Sequence, residues 1–159
     1  MRGGGGVSIA GGHGANEQFT RTAVSAYNLA MLFTFPQTQI KFDIPDDWWN
    51  DAGMAGFRPS ARSYAFQETS SWPLLVVPLS DVNPPTRSPG VRWFCQRRME
   101  RILRGFVAGD LIPPITVHEP PGAAIRYAVR GGFHRFYASV AAGFECLPVE
   151  VKPYFDLYA

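Results

Sequence analysis

The chain has 159 residues, 46% of them hydrophobic and 14% aromatic, with a formal net charge of +2. That length and apolar content predict one packed domain with an appended segment and exclude a globally disordered chain. The longest apolar stretch, residues 26–35, carries Asn28 and Thr34 and is too short to cross a bilayer as a helix.

Residues 1–19 hold seven glycines and little to bury, so a disordered tail is expected there. Its Gly3 to Gly6 run is no phosphate loop, since no strand precedes it and no Gly-Lys-Ser/Thr follows. Between Thr20 and Phe35 the apolar spacing fits neither the helical nor the strand period, and both assignments stay open. Gln39 to Ile44 alternates and predicts a strand. Asp46 or Asp47 is then expected to cap a short helix bearing Trp48 and Trp49, ended by Gly53, Gly56 and Pro59. Ser63 to Phe66 suggests another short strand. The aromatic-rich segment from Pro45 to Phe57 suits core packing better than a platform for stacking bases.

The pattern sharpens past Ser70. Leu74 to Leu79 predicts a strand. Residues 83–90 contain three prolines, which fix φ and remove donors, so they predict an ordered loop that delivers Arg87. Met99, Ile102, Leu103, Phe106 and Val107 recur at three- and four-residue steps, predicting a helix from about Arg92 to Ala108 that Gly109 closes. Trp93 and Phe94 would open it. Ile115 to Val117 and Ile125 to Val129 predict a hairpin-like pair of strands, with Gly131-Gly132 breaking the second. Phe133 to Ala142 predicts a second helix, ended by Gly143, and Leu147 to Val151 a last strand. The order from Leu74 is strand, helix, strand, strand, helix, strand. The fold class is therefore α+β: a domain over 73–159, a mixed sheet with flanking helices, and an N-terminal extension over 20–72 packed upon it.

Cys95 and Cys146 lie far apart without metal spacing and are expected to be reduced, buried thiols of a soluble cytoplasmic protein. The first six residues lack the apolar core of a secretory signal. The three histidines, His13, His118 and His134, have no metal-ligand spacing, so no metal-binding residues are assigned.

Charge distribution says more than net charge. Arg87, Arg92, Arg97, Arg98, Arg101 and Arg104 place six guanidiniums in eighteen residues, with Glu100 the one carboxylate among them. Such a cluster is either a phosphate or nucleic-acid surface or a solvated helix face. The turn Gly131-Gly132-Phe133-His134-Arg135 points to the former. A strand, two glycines and a helix start expose unpaired N–H groups at a positive helix end, and glycine lets a ligand approach the backbone. His134 and Arg135 add donors at the same pole; Arg135 can fork two hydrogen bonds onto a phosphate.

Several motifs occur together in order: Leu79-Ser80-Asp81-Val82, Ile112-Pro113-Pro114-Ile115-Thr116-Val117, Tyr127-Ala128-Val129, Gly131-Gly132-Phe133-His134-Arg135-Phe136-Tyr137-Ala138, Gly143, and Leu147-Pro148-Val149-Glu150-Val151. This succession resembles the ParB/sulfiredoxin superfamily. The resemblance implies a small α+β domain whose turn grips the phosphates of a nucleoside triphosphate, ATP in sulfiredoxins and CTP in ParB. Some plasmid-borne relatives are nucleases or ATPases. By that resemblance Gly131, Gly132, His134 and Arg135 hold phosphate, and Arg97, Arg98 and Arg87 are the further arginines brought to the site.

Departures from the family pattern matter equally. Sulfiredoxins place a nucleophilic cysteine where this chain has Phe133, which excludes their repair chemistry. ParB proteins carry a helix-turn-helix after the nucleotide domain, which is not expected here, so clamping on a centromere is not expected either. A nuclease or NTPase of this type would use Mg²⁺ held by carboxylates. Glu100, Glu119, Asp110 and Glu150 are available, and Glu100 lies within the arginine cluster. It either joins His134 and Arg135 in catalysis or pairs with Arg97 or Arg104 at helical spacing.

The sequence thus predicts a domain binding a nucleotide or a nucleic-acid phosphate, with ATP or CTP and Mg²⁺ as cofactors and DNA as a further partner. A Mg²⁺-dependent nuclease or NTPase is the enzymatic form of that expectation. The alternatives are a plasmid- or phage-encoded inhibitor that binds a protein through residues 45–72, and a plain DNA-binding module.

Overall fold

The computed structural model describes residues 20–23, 30–35 and 40–155. The tail expected over 1–19 lies outside them. In the stretch left open between helix and strand, the described residues are strand: β1 (Thr20–Ala23) and β2 (Ala30–Phe35) pair antiparallel with each other, and β2 with β3 (Ile40–Pro45).

Helix α1 (Asp46–Asp51) follows directly. Its N-cap is Pro45, at φ −54° and ψ 138°, without any side-chain cap bond, so neither aspartate caps it. Asp46 and Asp47 sit in the first turn instead, where carboxylates complement the positive helix end. The strand expected over 63–66 reduces to one bridge. Ile112 N–H donates to Ala65 O at 3.0 Å and Gln67 N–H to Ile112 O at 3.1 Å.

The second half is α+β with a mixed five-stranded sheet. Strand β4 (Leu74–Pro78) runs into a 3-10 turn over Leu79–Asp81 and the two-residue β5 (Val82–Asn83). After the proline-rich loop comes α2 (Gln96–Ala108), then β6 (Ile115–His118), β7 (Tyr127–Gly131), α3 (Phe133–Ala142) and β8 (Cys146–Val151). The sheet order is β4-β8-β6-β7-β5. The pairs β4·β8 and β6·β7 are antiparallel, whereas β6·β8 and β5·β7 are parallel.

Helix α2 begins at Gln96, four residues later than expected, because Cys95 is still extended at φ −91° and ψ 122°. Trp93 and Phe94 therefore precede the helix. Their rings pack on α3 instead, Trp93 lying 5.3 Å and Phe94 5.7 Å from Tyr137 between centroids. Of the predicted stripe, Met99, Leu103 and Phe106 are buried and Ile102 is half-buried, while Val107 is exposed. Cys146 is buried as expected, but Cys95 is exposed.

One apolar core runs through both halves. Phe42, Ile44, Trp49, Met54 and Tyr64 are buried together with Leu103, Ile115, Phe136, Tyr137 and Leu147. Phe42 lies 4.7 Å from the ring of Tyr137 and Tyr64 stacks on Phe106 at 5.4 Å. The aromatic segment after Pro45 thus supplies core rather than an open platform, with Trp48 half-buried at its edge. No helix among the described residues is long and apolar enough to cross a membrane.

Candidate functional site

The ends of β7, α2 and the proline-rich loop converge on a cleft of about 800 Å³. The Gly131 to Arg135 turn forms one wall. Arg98, Arg101 and Ile102 of α2 form another, with Pro85, Thr86 and Arg87 from the loop and Asp110 to Pro113 beyond α2. Its volume is within the range of small-molecule sites.

The turn is made possible by Gly132, the N-cap of α3, at φ +99° and ψ 33°. That left-handed conformation is open to glycine and strained for other residues. A second reason for glycine lies in the space above it, where a Cβ would stand 3.3 Å from the guanidinium of Arg135. The first intrahelical bond of α3 is Phe136 N–H to Gly132 O, 2.8 Å, and no side chain caps the helix. The N–H groups of the first turn are left without an intrahelical partner at the positive end of the helix.

The two residues expected to grip phosphate are already engaged. Arg135 Nη1 donates to Pro113 O at 3.0 Å and Pro114 O at 2.7 Å, tying α3 to the entry of β6. Tyr64 Oη donates to the same Pro113 O at 2.8 Å, so the N-terminal half helps fix that wall. His134 is 8% exposed, and its Nε2 accepts the backbone N–H of Cys95 at 2.8 Å. It therefore serves packing, contrary to the expectation of a free donor. Burial, then the nearby Arg87 and Arg98, hold its pKa below the ordinary histidine value, which keeps it neutral and able to accept. Tyr137 Oη donates to Pro85 O and anchors the proline-rich loop against α3.

Arg87 arrives as the loop predicts. Its guanidinium carbon lies 3.9 Å from the centroid of the Phe133 ring, a cation–π stack that aims it across the cleft. Its Nε is buried with no hydrogen-bond partner. A buried donor without an acceptor is destabilised by roughly 1–3 kcal/mol, a cost that a shift of the guanidinium toward a ligand oxygen would remove. Phe133 thus acts as a shelf for an arginine.

Arg98 lines the cleft, but Arg97 does not. Glu100 does not line it either. Its carboxylate lies 3.5 Å from Arg104 Nη2 and accepts from Gln96 Nε2 at 3.1 Å, so it is occupied along the surface of α2. Of the two readings of Glu100, the structure shows the pair with Arg104 at helical spacing.

Two further arginines complete the wall. Arg101 is one turn along α2 from Arg98. Arg130 comes from a bulge: Val117 faces Val129 and Thr116 faces Gly131, which leaves Arg130 as the extra residue of β7. The bulge turns it toward the cleft instead of into the ladder. Arg130 carried a sequence signal only in its place before Gly131-Gly132. In all, five guanidiniums (Arg87, Arg98, Arg101, Arg130, Arg135) face one carboxylate, Asp110. None of the five is ion-paired with a carboxylate among the described residues. No cluster of three metal-ligating side chains occurs among those residues.

No family model matches the chain, and no curated protein does. Solved structures do. A C-terminally truncated chromosome-partitioning protein ParB from Caulobacter crescentus, complexed with CTP-gamma-S, matches at 24% identity over 54% of this chain and 47% of its own, with a TM-score of 0.44. Sulfiredoxin from Arabidopsis thaliana matches at 23% identity over 51% of this chain and 85% of its own, with a TM-score of 0.41. A conserved hypothetical protein from Pyrococcus furiosus matches at 20% identity over 58% of this chain and 36% of its own, with a TM-score of 0.44. The matched part is thus about half of the ParB chain.

Proposed function

We propose that this protein binds the phosphates of a nucleotide or of a nucleic acid in the cleft between the Gly131 to Arg135 turn, α2 and the proline-rich loop. The observation that carries the reading is the excess of five guanidiniums over one carboxylate around an uncapped helix N-terminus. Like charges held this close repel one another unless an anion sits among them, and a guanidinium donates to phosphate in a fixed fork.

The roles divide by position. The first-turn N–H groups of α3 and the guanidiniums of Arg98, Arg101 and Arg130 would take phosphate oxygens. Arg87, which also lines the cleft, would add its guanidinium. Arg135 shapes the turn by holding Pro113 and Pro114, and so positions the N–H groups it leads. Gly131 and Gly132 permit the close approach. ATP and CTP are the nucleotides to test first.

Mg²⁺ bound with a triphosphate usually rests on phosphate oxygens and one or two carboxylates. Asp110 is the carboxylate on the cleft wall that suits this role, and the ion would neutralise phosphate charge there. Hydrolysis also requires a base for the attacking water. His134 Nε2 is committed to Cys95 and cannot accept a second proton donor without releasing it. Binding is therefore the activity the geometry supports best; nuclease or NTPase turnover would have to rest on Asp110.

Calorimetric titration of ATP, CTP and inorganic triphosphate, with and without Mg²⁺, tests the reading. Saturable binding that weakens steeply with salt supports it. No binding of any of the three at low salt, together with no binding of a single-stranded oligonucleotide, would overturn it.

A further inference from the structure

A second cavity, of about 470 Å³, opens beside the arginine cleft. Trp48 and Trp93, both half-buried, line it above the buried rings of Phe42 and Phe94. The exposed Lys41, Arg92 and Asp43 edge it. Trp48 packs on the edge of the core and is half-buried, and the part of it left uncovered lines this cavity. Asp46 and Asp47, on the same short helix, do not line the cavity.

The two cavities adjoin. The Trp93 ring lies 5.5 Å from that of Phe133, and Phe133 in turn carries Arg87 on the floor of the arginine cleft. A chain spanning from the arginines to the tryptophans flanked by Lys41 and Arg92 would cross the Trp93–Phe133 contact, where the two cavities meet. Aromatic faces interleaved with cations, continuous with a phosphate site, are the chemistry that holds unpaired bases.

From this juxtaposition we infer that the ligand of the cleft is a single-stranded nucleic acid, with phosphates along the arginines and a neighbouring base in the Trp48–Trp93 cavity. The inference rests on the reading of the cleft as a phosphate site and extends it to the substrate class. A duplex is not the fit, because its bases are stacked inward and cannot enter a cavity of this depth without unpairing. Asp43, on the cavity edge, would be the acceptor for an N–H of the inserted base, and Lys41 and Arg92 on the same edge would meet its phosphates.

The test compares an end-labelled single strand of about eight nucleotides, within the usual span of such sites, with inorganic triphosphate, a probe of the arginine cleft alone. Trp48→Ala is expected to weaken the strand by about tenfold or more, the effect of losing one stacked base, and to leave triphosphate affinity unchanged. The double variant Lys41→Ala, Arg92→Ala changes exposed side chains only. It is expected to lower strand affinity and flatten its salt dependence, again without effect on triphosphate. If both variants bind the strand as the unmodified protein does while triphosphate still binds, the strand inference falls and the cleft reading stands. Tighter binding of the matching duplex than of the single strand would also overturn it. If neither strand nor triphosphate binds the unmodified protein, both fall together.

Discussion

The imidazole of His134 accepts the backbone N–H of Cys95 at 2.8 Å, a bond that joins the first turn of α3 to the start of α2 across 39 residues of chain. Two elements that wall the arginine cleft are held in register by a neutral ring.

That bond makes stability depend on pH. His134 is held below the ordinary value of 6.5 by burial and by Arg87 and Arg98. Its folded pKa is thus lower than its unfolded one, and its contribution is fully present above about pH 6.5. The contribution is lost as pH falls from there through the lower folded value, because the unfolded chain takes up the proton more readily. His118, also held low by burial and then by Arg130, has the same sign. Thermal melts from pH 8 to 5 should show falling stability below about 6.5. His134→Ala should lower stability at pH 8 by about 2 kcal/mol, as expected for orphaning a donor, and should flatten the acid limb. An unchanged acid limb in that variant would contradict this role.

Gly132→Ala should be costly for two reasons acting together. Alanine is strained at φ +99°, and its Cβ would press on the Arg135 guanidinium at 3.3 Å. We expect a loss of about 2 kcal/mol in urea unfolding, the usual scale for a forced left-handed residue with an added steric conflict, and weaker triphosphate binding as Arg135 is displaced.

Glu100→Gln separates two assignments for that residue. Its carboxylate is paired with Arg104 along α2 and does not line the cleft. Loss of a surface i,i+4 pair changes stability by about 0.5 kcal/mol or less. Triphosphate affinity, measured by calorimetry, should stay within about twofold, a difference below 0.5 kcal/mol; a larger fall would restore Glu100 to the site.

Arg87 and Phe133 act as a stacked unit, with 3.9 Å between guanidinium and ring. Arg87→Ala should weaken triphosphate by roughly tenfold, the scale of one charge-assisted hydrogen bond. Phe133→Leu should weaken it by less, since the charge stays while its platform is lost. A greater effect from Phe133→Leu than from Arg87→Ala would refute this division of labour.

The elements after residue 70 were legible because each carries a strong period or a glycine stop: α3 was expected at Phe133 to Ala142 and forms there. What escaped depends on long-range contact. Val82–Asn83 form a strand only by pairing with Tyr127 and Ala128, and two residues have no period to read. Arg130 enters the cleft through a register shift between β6 and β7, which no local pattern encodes. His134 looked like a free donor because its acceptor role depends on Cys95, far along the chain. Glu100 was open between catalysis and a pair with Arg97 or Arg104, because helical spacing alone does not choose; the structure shows the pair with Arg104. The turn itself, with its two glycines and its arginine, was readable because strand, glycine and helix start are all local signals.

The most direct measurement of the central claim is triphosphate affinity in the double variant Arg98→Ala, Arg101→Ala, both exposed on α2, where removal of their side chains leaves the core intact. With far-ultraviolet circular dichroism and melting temperature unchanged, affinity should fall by about a hundredfold, two charge-assisted contacts' worth, and the salt dependence should become shallower. Unchanged affinity and unchanged salt dependence in that folded variant would contradict the account.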